Sequence, residues 1–254
     1  MILAFGPENS LAGADAEATA GSAPLFSFEG VAIDGVARPR LDDIWLTVRP
    51  GRITVIVGPS GAGKSTLLRC CNRLEVPDRG RLLYAGHDVA LLEPRALRCS
   101  VGMVFQRPVL FPGTVRSNLL AARQEATEAA CAAALEAAEL GTDFLDRSVD
   151  ELSGGEAQRA CIARALMLEP SVLLADEPTS SLDEAAARQV EQTVRSLIAG
   201  GRSVLWVTHD RAQAERLADD LVVMDAGRVV TGGTGTGSAV GRAGEDAEAP
   251  RVDI

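Results

Sequence analysis

An α/β fold with a mostly parallel core sheet is predicted by three features of this sequence. Short β-branched runs alternate with helix-compatible stretches along most of the chain. One such run, Ile53–Val57, leads through a glycine-rich loop into an apolar helix start. Another, Val172–Ala175, is uniformly apolar and then ends in the carboxylates of Asp176 and Glu177. Strands alternating with helices pack as a parallel sheet covered on both faces, so the strands read as unbroken apolar runs.

The elements follow in order. Residues 1–24 are Ala, Gly, Ser and acidic residues without periodicity, the composition of a disordered leader. Leu25–Ile33 and Leu41–Val48 alternate as strands do; in the second, Ile44, Leu46 and Val48 share one face and Trp45 and Thr47 the other. Arg49-Pro50-Gly51 turns the chain into the 53–57 strand. After the helix that opens at Thr66, Pro77–Gly80 makes a second turn before a strand over 81–85. Val101–Phe105 is a further strand, with Gln106 at its end. An Ala/Glu-rich region to about Leu140 is helical by propensity. Leu152–Glu156 precedes a helix through Leu168; strands over 171–176, 203–207 and 221–225 and a helix over 184–199 complete the pattern. From Gly232 the composition returns to Gly, Thr, Ala and acidic residues, a disordered tail.

Composition excludes several classes. The 254 residues are 46% hydrophobic, enough for a substantial core, yet no stretch approaches the length of apolar run that spans a bilayer. No basic segment followed by an apolar run opens the chain, which argues against secretion. Five cysteines (Cys70, Cys71, Cys99, Cys131 and Cys161) have no metal-ligand spacing and an odd count, so they read as reduced thiols packed as small hydrophobes. A net charge of −10 disfavours a nucleic-acid partner.

Residues 58–66 carry the sharpest chemistry: Gly58-Pro59-Ser60-Gly61-Ala62-Gly63-Lys64-Ser65-Thr66. Strand, glycine-rich loop and helix N-terminus are the context of a phosphate-binding P-loop. The glycines let consecutive amides turn inward around an anion, and the helix start adds partial positive charge. Lys64 is placed to reach the β- and γ-phosphates of a nucleotide and the Ser65 hydroxyl to ligate Mg²⁺. Lys64 is the only lysine in the chain; all other Lys/Arg positions are arginine. A compact ammonium suits a point-charge role that a planar guanidinium does not fill. Asp176 and Glu177 end their strand at the edge where ligands sit in open α/β sheets. Adjacent strand residues point to opposite sides, so Asp176 can bind the Mg²⁺ shell while Glu177 orients and deprotonates water.

Leu152-Ser153-Gly154-Gly155-Glu156, followed by Ala157-Gln158-Arg159 and Ala163-Arg164-Ala165-Leu166, resembles the signature of the ATP-binding cassette (ABC) ATPases. The resemblance covers roughly residues 25–231. It implies a P-loop NTPase fold with a small antiparallel β-subdomain and a helical subdomain at about 107–170. It also implies that Ser153, Gly154 and Gly155 form a second anion cradle for the γ-phosphate held by another protomer. By the same resemblance Gln106 touches Mg²⁺ and the attacking water, Ser180-Ser181-Leu182-Asp183 lies between protomers, and His209 contacts the γ-phosphate. His87 matches nothing and reads as an ordinary surface histidine. Two departures stand out. Relatives carry an adenine-stacking aromatic residue near positions 33–35, where this chain has Ile33-Asp34-Gly35, leaving apolar support from Ile33 or its neighbours. The segment from Gln106 to Leu152 is also short. Val101–Pro108 and Leu110–Gly113 are similar to phosphate-import and some metal-export ATPases.

The resemblance thus implies an ATP hydrolase using ATP and Mg²⁺, working as a head-to-tail pair of identical chains. It implies integral-membrane permease subunits as partners, with a substrate-binding protein in some systems, and a cytoplasmic position on the inner face of the membrane. A soluble single-cassette ATPase serving assembly or repair is the alternative; a non-hydrolysing module is disfavoured because Lys64, Asp176, Glu177 and His209 are all present.

Overall fold

The computed structural model describes residues 23–234. Most of the expected leader and tail lies outside that range.

An antiparallel sheet begins the chain. Strand β1 (Phe26–Ile33) pairs with β2 (Leu41–Val48), and β3 (Ile53–Val57) then leaves for the core, ending at the P-loop. Asp43 adopts φ 50°, and the β1–β2 register shifts around it, so both Leu41 and Ile44 are buried although three residues apart. Helix α1 (Lys64–Cys71) follows the loop, and β4 (Arg79–Tyr84) and the short β5 (His87–Asp88) return to the first sheet, whose order is β2-β1-β4-β5. Helix α2 (Pro94–Ser100) was not legible in the apolar pattern; Glu93 caps it by accepting from the amides of Arg95 and Ala96.

The core sheet runs through β6 (Val101–Val104), β7 (Val172–Asp176), β8 (Ser203–Thr208), β9 (Asp220–Asp225) and β10 (Arg228–Thr234). Its order is β10-β9-β3-β8-β7-β6, with only the β9–β10 pair antiparallel. Residues 232–234, expected in the tail, instead extend β10 opposite Val222, Leu221 and Asp220. Between β6 and β7 the described chain is helical: α3 (Val115–Ala122), α4 (Glu128–Ala137), two single 3₁₀ turns and α5 (Gly154–Leu166). Helices α6 (Glu184–Ala199) and α7 (Arg211–Leu217) flank β8 in sequence.

Both faces of this sheet are covered, which explains the unbroken apolar strands. Val55, Leu173, Val204 and Trp206 pack with the helices after β6 and with α6 and α7, while Ile56, Leu174, Leu205 and Val207 pack with the antiparallel sheet and α1. Four of the five cysteines are buried in these cores and all five are free thiols. Burial pushes the Cys70 thiol up to about 12 and raises Cys71 well above its ordinary value, so neither is a nucleophile near neutrality.

Helix α5 starts with a reciprocal capping box: the Glu156 amide donates to Ser153 Oγ, and Glu156 Oε2 accepts from the Ser153 amide. Hydrogen bonding of the carboxyl to the Ser153 side chain and to the Ser153 amide holds Glu156 below the usual glutamate range. Its contribution to stability is therefore complete above the unfolded-state pKa and fades as pH falls through the folded one. Glu156→Ala is expected to cost about 1 kcal/mol of unfolding free energy near neutrality. Urea unfolding at two pH values checks this, because the difference from the parent should shrink in acid.

Candidate active site

Parallel pairing aligns the C-terminal ends of β3, β8, β7 and β6, with Val57 beside Thr208, Val207 beside Asp176 and Ala175 beside Val104. The segments that follow therefore emerge at one sheet edge: the P-loop, His209, Glu177 and Gln106.

The P-loop is built by close backbone approach. A side chain at Gly58 would lie 2.0 Å from the Met224 carbonyl, and Gly63 takes φ 95° with the Arg40 carbonyl 2.5 Å from any added Cβ. Pro59, Ser60 and Gly61 are exposed, whereas Ala62 is buried and donates its amide to the Pro59 carbonyl. The first-turn amides of Lys64, Ser65 and Thr66 have no acceptor within α1, the usual state of a helix start that faces an anion. Lys64 is 5% exposed, and its ammonium donates to the carbonyls of Gly58 (2.8 Å) and Pro59 (2.9 Å).

Ser65 Oγ donates to Asp176 Oδ1 at 2.6 Å, tying α1 to the end of β7. Arg69, one turn further along α1, lies 3.8 Å from the other Asp176 oxygen. Glu177 stands 3.9 Å from the Lys64 ammonium and 3.1 Å from His209 Nδ1. Its backbone is left-handed, φ 46°, and its amide donates to the Val207 carbonyl. The strand thus ends at Asp176. The two carboxylates diverge because the chain turns, not because of strand alternation as expected from sequence. A non-glycine residue at positive φ is a costly conformation that the surroundings must hold.

Other expected residues sit differently. The Gln106 amide donates to Ser180 Oγ at 3.1 Å, contacting the loop after Glu177 rather than Ser65 or Asp176. Asp183 caps α6, accepting from the Ala186 amide. Ser153, Gly154 and Gly155 lie at the start of α5; an added Cβ on Gly154 would meet Leu182 and one on Gly155 would meet Ala186 at 2.8 Å. Among the described residues no hydrogen bond joins them to the P-loop of their own chain. Ile33 is fully buried opposite Leu41, so it cannot support a base. The exposed residues of that loop include Val36 and Arg38, and Arg38 donates to the Gly61 carbonyl at 3.3 Å. In a chain with so many arginines, nothing in the pattern singles out Arg38 or Arg69.

The family described as ABC transporter matches residues 41–180. The chain is 42% identical over 226 residues to the mycobactin import ATP-binding/permease protein IrtB of Mycolicibacterium thermoresistibile, a match covering 84% of this chain and 38% of that protein. It is 38% identical over 220 residues to Protein STAR1 of Oryza sativa subsp. japonica, covering 84% of this chain and 64% of the relative. The chain therefore spans less than two thirds of either protein's length. Among solved structures it superposes on the ATP-binding cassette MJ0796, described as a dimer in a post-hydrolysis state with ADP and Pi, at a TM-score of 0.73 and 28% identity, covering 84% of this chain and 100% of that one. Sequence, geometry and relatives converge: the chain belongs to the ABC transporter family.

Proposed function

We propose that this chain hydrolyses MgATP at a site completed by a second copy of itself, and passes the resulting motion to separate membrane permease subunits. The observation that carries the reading is the convergence of Lys64, Ser65, Asp176, Glu177 and His209 at one edge of a parallel sheet.

In the nucleotide-loaded site the Lys64 ammonium exchanges the Gly58 and Pro59 carbonyls for β- and γ-phosphate oxygens, while amides from Gly61 to Thr66 cradle the β-phosphate. The Ser65 hydroxyl and Asp176 carboxylate are hard oxygen donors in direct contact, which fits Mg²⁺, an ion that takes few protein ligands and keeps phosphate and water around it. Bound there, Mg²⁺ supplies charge neutralisation at the phosphate oxygens. Glu177 accepts a proton from the water that attacks the γ-phosphorus; the bond to the β–γ bridging oxygen breaks, and ADP and phosphate leave. His209, hydrogen-bonded to Glu177, orients that carboxylate and contacts the γ-phosphate. Gln106 acts from the neighbouring loop by way of Ser180.

One chain holds one P-loop and one signature, and its own Ser153–Gly155 cradle rests on Leu182 and Ala186. The free amides of Gly154 and Gly155 therefore serve the phosphate of a head-to-tail partner, with Asp183 between the two. The dimeric cassette among the similar structures supports this arrangement.

No helix among the described residues is long and apolar enough to cross a membrane, and in this reading coupling uses a docking surface. A groove of about 290 Å³ flanks Gln106, with exposed Phe105, Val109 and Phe111 ringed by Arg98, Arg107 and Arg164. Apolar floor and basic rim on an otherwise acidic chain suit an amphipathic, acidic segment of a permease. IrtB, which its name describes as both ATP-binding and permease, supports a membrane partner. The chain is then peripheral on the cytoplasmic face, with a substrate-binding protein as a further partner in an importer.

Three variants test this. Glu177→Gln should lower kcat by about 10²–10⁴-fold while nucleotide still binds, measured by phosphate release and by equilibrium binding. Parent-like hydrolysis by that variant removes Glu177 as the base. Lys64→Ala should lose nucleotide binding itself. Val109→Asp should abolish co-purification with the membrane subunits and leave hydrolysis by the isolated chain at the parent rate; unchanged co-purification places the docking surface elsewhere.

A further inference from the structure

One buried carboxylate takes no part in the chemistry above. Glu191 on α6 is only 9% exposed, although nothing in its position requires a charge for catalysis. A buried charge is costly unless partnered, and its partners are specific. Gln213 Nε2 donates to Glu191 Oε1 at 2.8 Å, and Arg216 donates to the same oxygen at 3.2 Å.

Gln213 is itself buried, and each polar atom of its amide is used. The same Nε2 donates to Thr179 Oγ1 at 2.9 Å, and Oε1 accepts from Trp206 Nε1 at 3.3 Å. One side chain therefore joins three elements: α6 through Glu191, β8 through Trp206, and the loop after β7 through Thr179. Thr179 lies two residues beyond Glu177, inside a turn closed by the Ser180 amide on the Glu177 carbonyl and the Leu182 amide on the Thr179 carbonyl. The Gln213 backbone is equally tied, because its amide and that of Ala212 donate to Asp210 Oδ1, the residue after His209. The His209 loop and the Glu177 loop are thus pinned to a common buried point.

We infer that Gln213 is a positioning residue for hydrolysis, holding Thr179 so that Glu177 keeps its left-handed backbone and its 3.1 Å contact with His209. The inference rests on Glu177 being the base. The requirement follows from the strain: Glu177 at φ 46° persists only if its flanks are over-determined, and the amide of Gln213 supplies a fixed anchor on one side. Partly satisfied buried networks are poor anchors, and this one is satisfied at every atom of the amide.

A network that merely cements α6 to α7 would affect stability and nothing else, so the test separates the two. In steady-state ATPase assays of the full chain, run well below the melting temperature of each variant, Gln213→Leu should lower kcat by about 10- to 100-fold with the KM for ATP unchanged, the scale of a misplaced catalytic group. Thr179→Val removes only the bond toward Glu177, leaves the Gln213–Glu191 link intact, and should reproduce the loss; it carries the test if Gln213→Leu fails to fold. Glu191→Gln keeps an acceptor for Gln213 and should retain the parent kcat. Combined with Glu177→Gln, neither Gln213→Leu nor Thr179→Val should lower the residual rate further. Parent-like kcat in Thr179→Val, or a KM that rises in step with any loss of kcat, overturns the inference. Parent-like hydrolysis in Glu177→Gln instead overturns the base assignment on which it rests.

Discussion

A single ammonium enclosed by backbone is the constraint on which the rest of this structure depends. Lys64 is buried at the mouth of its loop, satisfied by two carbonyls and faced by Glu177. Carbonyl dipoles hold such a charge only partly, and a phosphate oxygen offers a full opposite charge at the same place. In the proposed reading, what surrounds it keeps that exchange available. Met224 and Arg40 press their carbonyls against Gly58 and Gly63, and the Ser65–Asp176 bond fixes the helix start against β7. The sheet contributes direction: because β3, β8 and β7 run parallel, their ends deliver cation, histidine and carboxylates to one edge.

How much of this could be read beforehand varied with the kind of physics involved. The buried strands were legible because both faces of the core sheet are covered, so Ile53–Val57 and Val172–Ala175 carry no polar interruption. Helix α6 was legible over 184–199, and the structure starts it at Glu184 with Asp183 as its cap. Helices α2 and α7 were not, being two turns long and set by the capping carboxylates of Glu93 and Asp210 rather than by an apolar stripe. Strand β10 was masked by Gly232 and Gly233, which read as tail although they pair with β9.

The same division holds at the site. Lys64, Ser65, Asp176, Glu177 and His209 belong to local strings, and the parallel sheet brings those strings together. Contacts made by single side chains from unmarked positions left no trace: Arg38 on Gly61, Arg69 near Asp176, and Gln213 between Thr179 and Glu191. The positive φ of Glu177 also escaped, since Asp-Glu-Pro reads equally well as a strand end or a turn. Ile33 was misread for a simpler reason: pairing with Leu41 turns it into the core.

In the proposed reading, the two half-sites on one chain are parts of a pair. The P-loop offers a cation and amides, and the start of α5 offers the amides of Gly154 and Gly155 on another helix. On that proposal, closure around two nucleotides would draw on contacts that exist only in the closed state, and driving such an equilibrium takes on the order of 5 kcal/mol. Sedimentation velocity of Glu177→Gln with and without MgATP tests this most directly. A species of twice the chain mass that forms only with the magnesium nucleotide is the expected result. A single-chain species at every saturating nucleotide concentration would contradict a site shared between two copies.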